Sequence, residues 1–132
     1  MTDTPRLAGT LATEGDLRTN YASPAKAVLD KVFPHLDPHS RHFIALSPFF
    51  CIGSSRADGL ADVSPRGGEP GFVHAIDDTH VAFPDRPGNN RLDTLTNIVH
   101  QSAVGLVFFL PGVGEVLRIN GQSHEGPFYH VK

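Results

Sequence analysis

The sequence predicts a mainly β, α+β protein built as a small antiparallel β-barrel, with a helical lead-in and one helix that plugs the barrel. Three observations predict this fold class. The chain has 13 glycines and 11 prolines among 132 residues, which indicates many turns. Short β-like runs separated by turn residues begin at Phe49, and one amphipathic stretch lies between the fourth and fifth runs. The length fits a single domain over residues 1–132.

The first part of the chain, residues 1–47, is predicted to be a helical segment that leads into the barrel. Ser23-Pro24 is a helix-start signal, with serine as the N-cap and proline at the first helical position, and apolar residues follow at helical spacing. Asp37-Pro38 repeats the signal for a second, short helix that ends before Pro48.

Residues 48–121 are predicted to form the barrel. The runs FFCIGSS, LADVSPRG, FVHAI and THVAF are typical of strands and indicate an antiparallel meander. Residues 91–101 then predict a helix with capping candidates at Asn89 and Asn90, and two further strands, VGLVFFL and EVLRING, are joined by the turn PGVG. Residues 122–132 form a short tail. Six strands only just suffice to close a barrel.

Charge and composition exclude several classes of function. A formal charge of −3 does not favour a nucleic-acid partner held by a basic surface. No signal-like segment opens the chain, and the longest apolar stretch, 103–113, is about half of the roughly 20 residues that a membrane helix needs. The single cysteine, Cys51, excludes an internal disulfide and is expected in the core. We therefore expect a cytoplasmic protein that contacts no membrane.

The cations between Lys31 and Lys132 are all arginines. A guanidinium group donates two parallel hydrogen bonds and suits phosphate or carboxylate recognition better than an ammonium group does. This pattern points to an anion site, although a general preference for arginine would produce it too.

Two segments could form that site. In the second strand, period-two alternation places Asp62, Ser64 and Arg66 on one face, as it would for a site or for a solvated outer face. The segment PDRPGNNRLDTL joins a strand end to a helix start, where free amides, the helix dipole and two guanidinium groups favour an anion. An ordinary capped loop with surface arginines would look similar.

The sequence also resembles a known family. The runs DVSPRGG and PDRPGNNR are the most specific motifs, and the similarity covers residues from about 12 to 121, including HLDPHSRHFIALSPF and VGLVFFLPGVGEVLRING. These motifs resemble a bacterial subgroup of the pyridoxamine 5'-phosphate oxidase-like flavoproteins. The resemblance implies a six-stranded split β-barrel that forms a homodimer, with FMN in clefts at the interface.

The resemblance also implies cofactor contacts, residue by residue. The second strand would run along the flavin, and the strand-to-helix segment would bind its phosphate. Arg118 would reach the partner's flavin. The implied cofactor-binding residues are Asp62, Val63, Ser64, Arg66, Pro84, Asp85, Arg86, Asn89, Asn90, Arg91, Thr94 and Arg118.

The activity implied is that of an FMN-dependent oxidoreductase that transfers hydride to or from a small molecule, with NAD(P)H or oxygen as possible partners. No residue stands out as catalytic. Two alternatives stay open: a flavin carrier or sensor without turnover, and a deazaflavin-dependent reductase. Family members continue beyond the LRING strand into a final barrel strand, so we expect that strand to come in part from PFYHVK or to be missing.

A metal site is the weaker interpretation of HLDPHSRH, which places His35, Asp37, His39 and His42 close together. The helix-start role of Asp37 explains the segment more simply. No motif indicates a hydrolase triad.

Overall fold

A computed structural model of the chain describes residues 13–15, 34–84, 93–124 and 129–131. Its contacts divide the chain into two units, Met1–Phe33 and Pro34–Lys132, and the elements below belong to the second. The helix predicted from Ser23-Pro24 lies outside the described residues. The single domain over residues 1–132 stays a prediction.

Two helices and seven strands make up the described part of the second unit, and their order is the one expected from the sequence with one strand added. The elements are α1 (Pro38–Leu46), β1 (Phe49–Ser55), β2 (Ala61–Gly67), β3 (His74–Ala75), β4 (Val81–Phe83), α2 (Asp93–His100), β5 (Ala103–Phe109), β6 (Val116–His124) and β7 (Tyr129–Val131). Neither helix is long and apolar enough to cross a membrane, within the residues described.

The strands form one antiparallel sheet in the order β2-β1-β5-β6-β7-β4-β3. The predicted meander is wrong at one joint, because β2 and β3 are consecutive in the chain but lie at opposite ends of this order. The tail supplies β7, which pairs with both β6 and β4 and joins the two halves of the sheet. The expectation that PFYHVK provides strand residues is therefore confirmed.

Helix α1 begins as the sequence predicts. Asp37 is its N-cap, and the carboxylate accepts a hydrogen bond of 2.7 Å from the backbone N–H of Ser40. Hydrogen bonding from the Ser40 side chain, and then from its backbone N–H, lowers the pKa of Asp37 below its ordinary value. The helix ends at Ser47, whose hydroxyl lies 2.6 Å from the carbonyl of Phe109 and ties the helix end to β5.

The core is centred on Phe50, which is fully buried in β1. Its ring packs against Phe72, Phe83 and Phe108 with centroids 5.7, 4.9 and 5.1 Å away. The prediction that Cys51 lies in this core is wrong. Since successive side chains of a strand point to opposite faces, inward-facing Phe50 places Cys51 on the outer face, where it is half-buried.

Candidate functional site

Strand β2 lies at one end of the sheet and presents polar side chains on the inner face. Asp62, Ser64 and Arg66 are half-buried, and the residues between them are exposed. They stand opposite Ser54, Ile52 and Phe50 of β1, which are buried. The polar face predicted from the sequence is thus the inner one, at an edge strand whose outer side pairs with no described strand.

Helix α2 packs its buried face, formed by Thr94, Asn97 and Ile98, toward this end of the sheet. The side-chain amide of Asn97 donates a hydrogen bond of 3.0 Å to the hydroxyl of Ser54. The same nitrogen lies 3.5 Å from a carboxylate oxygen of Asp62. Asn97 therefore links the helix to both β1 and β2.

A cavity of about 510 Å³ opens between α2 and the turn that joins β1 to β2. Gly59 allows this turn because its φ of 87° is disfavoured for other residues. Within the turn, Arg56 and Asp58 form an ion pair of 2.8 Å. The cavity is lined by Arg56, Ala57, Asp58, Asp62, Asp93, Thr96 and Asn97.

The outer face of β2, β1, β5 and β6 carries a second, shallower groove of about 600 Å³. Gly53 and Gly105 are direct cross-strand partners in its floor, and Asn120 stands beside Gly105 on β6. A Cβ atom on Gly105 would lie 3.1 Å from Oδ1 of Asn120, so a side chain here would require the Asn120 amide to shift by a few tenths of an ångström. Val63 lines the same groove.

The structure separates the predicted site residues into two groups. Asp62, Ser64 and Arg66 share the inner face of β2, whereas the side chains of Val63 and Arg118 alternate onto the outer face.

The remaining predicted residues lie in the sequence between the end of β4 and the first turn of α2. Thr94 is buried in the first turn of α2, and Pro84 is half-buried directly after β4. The other predicted phosphate-binding residues lie outside the described part of the chain: Asp85, Arg86, Asn89, Asn90 and Arg91.

Ser54 and Asn97 were not among the residues predicted from the sequence. The signal for Asn97 was available: it follows Thr94 by three residues and precedes Ile98 by one, which places an amide on the apolar face of the amphipathic helix. A buried amide needs hydrogen-bond partners, so this position indicated a polar contact with the sheet.

The sequence HLDPHSRH, residues 35–42, was considered as a metal site. Among the described residues, no three His, Cys, Asp or Glu side chains form a group that could hold a metal ion.

In the turn between β3 and β4, Asp77 accepts a 2.8 Å hydrogen bond from the backbone N–H of Thr79 and lies 2.8 Å from Nδ1 of His80. These contacts, the Thr79 bond first, lower the pKa of Asp77 to about 2.

Comparisons with known proteins identify the family of this chain. The family model described as "Pyridoxamine 5'-phosphate oxidase" matches residues 36–125, well over half of the chain. No curated protein matches it.

Two solved structures are similar to this chain. A 1.70 Å crystal structure of Group A Streptococcus HupZ aligns with a TM-score of 0.56 and 12% identity over 72% of this chain and 86% of that one. A 1.98 Å structure of a histidine-to-alanine variant of HupZ gives the same TM-score and identity over 73% and 92%. At this identity the likeness shows the fold alone. With the family-model match, it establishes that the chain belongs to the pyridoxamine 5'-phosphate oxidase family and has its split-barrel fold.

Proposed function

We propose that this protein binds FMN along strand β2 and acts as an FMN-dependent oxidoreductase on a small-molecule substrate. The observation that carries the proposal is the charge order on the inner face of β2. Arg66 and Asp62 are both half-buried on that face, at opposite ends of the strand. Arg66 follows Asp62 by four positions, which in an extended strand separates them by about 13 Å, a length comparable with that of an extended flavin nucleotide.

The charged side chains of β2 favour one orientation of the bound FMN. A guanidinium group suits a phosphate, whereas a carboxylate repels one. The phosphate therefore belongs near Arg66, and the ring belongs toward Asp62 and the cavity. Ser64 lies between them and can hydrogen-bond the ribityl chain. Val63 would contribute through its main chain, because its side chain points to the outer face.

The segment after β4 would complete the phosphate site. Thr94 and Pro84 flank that segment in the described structure. By its resemblance to the family motif, the segment supplies Asp85, Arg86, Asn89, Asn90 and Arg91, and the family membership supports this assignment.

The cofactor cleft would be shared across a homodimer. Apolar residues predominate on the outer face of β2, β1 and β5, including Val63 at 70% exposure and the adjacent rings of Phe49 and Phe109, 5.8 Å apart, whereas β6 adds polar side chains there. A contiguous apolar patch on a sheet face is typical of a subunit interface. Arg118 lies on this outer face and so could reach only the flavin of the partner subunit.

The chemistry follows from this arrangement. When bound, FMN supplies hydride transfer to or from the substrate, with NAD(P)H or oxygen as the second reactant. The chain contributes position and electrostatics: Arg66 neutralises the phosphate, and Asn97 holds Asp62 beside the ring end of the site.

The visible absorption spectrum of the purified protein tests the cofactor. Bound flavin gives bands near about 370 and 450 nm. A protein that stays colourless after incubation with FMN would refute the proposal. Anaerobic mixing of the yellow protein with NAD(P)H then tests for an NAD(P)H-dependent enzyme, because hydride transfer bleaches the flavin whereas the flavin of a passive carrier or sensor stays oxidised. Binding of a deazaflavin in preference to FMN would identify the reductase alternative.

A further inference from the structure

Strand β7 joins the two parts of the sheet. On one side of it lie β6, β5, β1 and β2, and on the other side lie β4 and β3. His130, in the middle of β7, pairs with Ala82 of β4 and with His124 of β6. Among the described strands, β4 and β6 do not pair with each other directly. The backbone pairing between the β3–β4 hairpin and the larger part of the sheet therefore runs through Tyr129–Val131.

This joint is short compared with the pairings on the other side of the sheet. Strands β1 and β5 have seven residues each, whereas β7 has three. A segment opens at lower cost when few backbone hydrogen bonds hold it. We therefore expect β7 to separate from its neighbours far more readily than β1 separates from β5.

A buried polar group weakens the joint. Ser123 of β6 pairs with Val131 of β7 and is 2% exposed. Its hydroxyl has no hydrogen-bond partner among the described residues. A buried hydroxyl normally has a partner, and one without a partner raises the free energy of the closed arrangement. Separation of β7 uncovers this hydroxyl to water, so the serine favours the open arrangement more than an alanine would.

The end of β4 connects the joint to the candidate site. Phe83, the last residue of β4, lies beyond the residues that pair with β3 and is paired with Tyr129 of β7. The ring of Phe83 lies 4.9 Å from that of Phe50, a core contact that does not involve β7. Separation of β7 therefore removes the strand partner of Phe83 without removing this contact. Pro84 follows at once and begins the segment that we assign to the flavin phosphate.

We infer that β7 is a reversible closing strand that controls how tightly the protein holds its cofactor. Paired, β7 fixes the end of β4 and FMN binds tightly, whereas separation of β7 loosens that end and FMN binds weakly. The inference rests on the proposed function for the identity of the cofactor. Because coupling between two equilibria is reciprocal, bound FMN must also favour the paired arrangement of β7.

Hydrogen exchange of the full chain, followed by NMR without cofactor, measures the opening. His130→Pro removes a ladder N–H whichever neighbour it faces, because β7 is paired on both sides. The amides of β4 should then exchange about tenfold faster or more, while those of β1 keep the parent rate. His130→Val keeps the N–H and a strand-forming residue, and is the matched control. Parent rates in β4 of His130→Pro would overturn the inference.

A second variant tests the joint in the opposite direction. Ser123→Ala removes the buried hydroxyl and should slow exchange of the β4 amides by about threefold or more. Ser55→Ala, on the outer face of β1, is the matched control and should leave these rates unchanged. Equal or faster exchange in Ser123→Ala would contradict the role that we assign to the hydroxyl.

Titration with FMN connects the strand to the cofactor. The dissociation constant should rise about tenfold or more in His130→Pro, because the state that binds tightly is then seldom populated. In the parent, FMN should slow exchange of the β7 amides. Equal affinity in the parent and His130→Pro, with exchange in β4 accelerated, would overturn the inference and leave the proposed function standing. A parent that takes up no FMN would instead contradict the proposed function, and the exchange rates would still report the opening of β7.

Discussion

The side-chain amide of Asn97 donates a hydrogen bond of 3.0 Å to the hydroxyl of Ser54, which lies 43 residues earlier in the chain. Both residues are buried, so the contact joins α2 to β1 where water cannot replace it. Together with the buried side chain of Ile98, this bond holds the helix against the strands that form the candidate site.

The first prediction concerns this contact. Asn97→Leu removes the donor and leaves the Ser54 hydroxyl and Asp62 without it, so the free energy of unfolding should fall by about 1 to 3 kcal/mol. Urea denaturation followed by circular dichroism measures the change. Thr96→Ala, on the exposed side of the same helix, is the control and should stay within about 0.5 kcal/mol of the parent. Equal stability of Asn97→Leu and the parent would show that the bond contributes nothing.

The second prediction compares neighbours in β1. Phe50 is fully buried and Phe49 is 37% exposed. Phe50→Ala leaves a cavity among three other rings and should cost about 3 to 5 kcal/mol of unfolding free energy. Phe49→Ala loses mainly its contact with Phe109 and should cost about 0.5 to 1.5 kcal/mol. Thermal unfolding at low protein concentration compares them, and similar losses would contradict the assigned faces.

The sequence predicted the parts of the fold that depend on local signals. Asp37-Pro38 marks the start of α1 because capping involves residues only three positions apart. The polar face of β2 was predictable because alternation is a local property of strands, although alternation alone did not say which face was the inner one.

Local signals such as capping and alternation could not predict which distant strands pair with each other. The contact of β1 with β5 spans about half the chain, and no local pattern specifies it. The predicted meander failed for this reason. Cys51 was misplaced because its apolar neighbours were taken to share its environment, whereas neighbours in a strand point to opposite faces. The partners of Asn97 could not be predicted either, because Ser54 and Asp62 lie 43 and 35 residues away in the sequence.

The third prediction concerns the acid titration of Asp77, whose pKa is lowered to about 2. Because the folded-state pKa is below the unfolded value near 3.8, the stabilising contribution is complete above about pH 4 and is lost as pH falls through 2. The carboxyl ¹³C shift measures the midpoint. His80→Ala should raise it only part of the way, because the bond from Thr79 remains. A midpoint near 3.8 in the parent would contradict these contacts.

The fourth prediction tests the proposed dimer. Val63→Lys puts a charge on the outer face of the edge strand β2, within the proposed interface, and burying an unpaired charge at an interface is costly. Sedimentation velocity should show a dimer for the parent and a monomer for this variant. Val99→Lys is the matched control, because Val99 is 67% exposed on α2, away from that face. A dimer that tolerates Val63→Lys but not Val99→Lys would place the interface elsewhere.

The fifth prediction assigns the phosphate end of the flavin site. Arg66→Ala should weaken FMN binding by about 1.5 to 3 kcal/mol, the loss expected for a charge-assisted hydrogen bond to phosphate. Riboflavin lacks the phosphate, so its affinity should hardly change. Arg91→Ala should behave in the same way, because its position in PDRPGNNR predicts a phosphate contact.

Arg56→Ala supplies the control for this assignment, because the Arg56 guanidinium group is paired with Asp58 in the turn between β1 and β2, at the end of β2 that we assign to the ring. Quenching of flavin fluorescence gives both dissociation constants for each variant. If Arg66→Ala loses FMN and riboflavin affinity equally, the arginine supports the strand and does not recognise the phosphate. If only Arg56→Ala loses FMN selectively, the flavin lies in the opposite direction along β2, with its phosphate at the end that we assign to the ring.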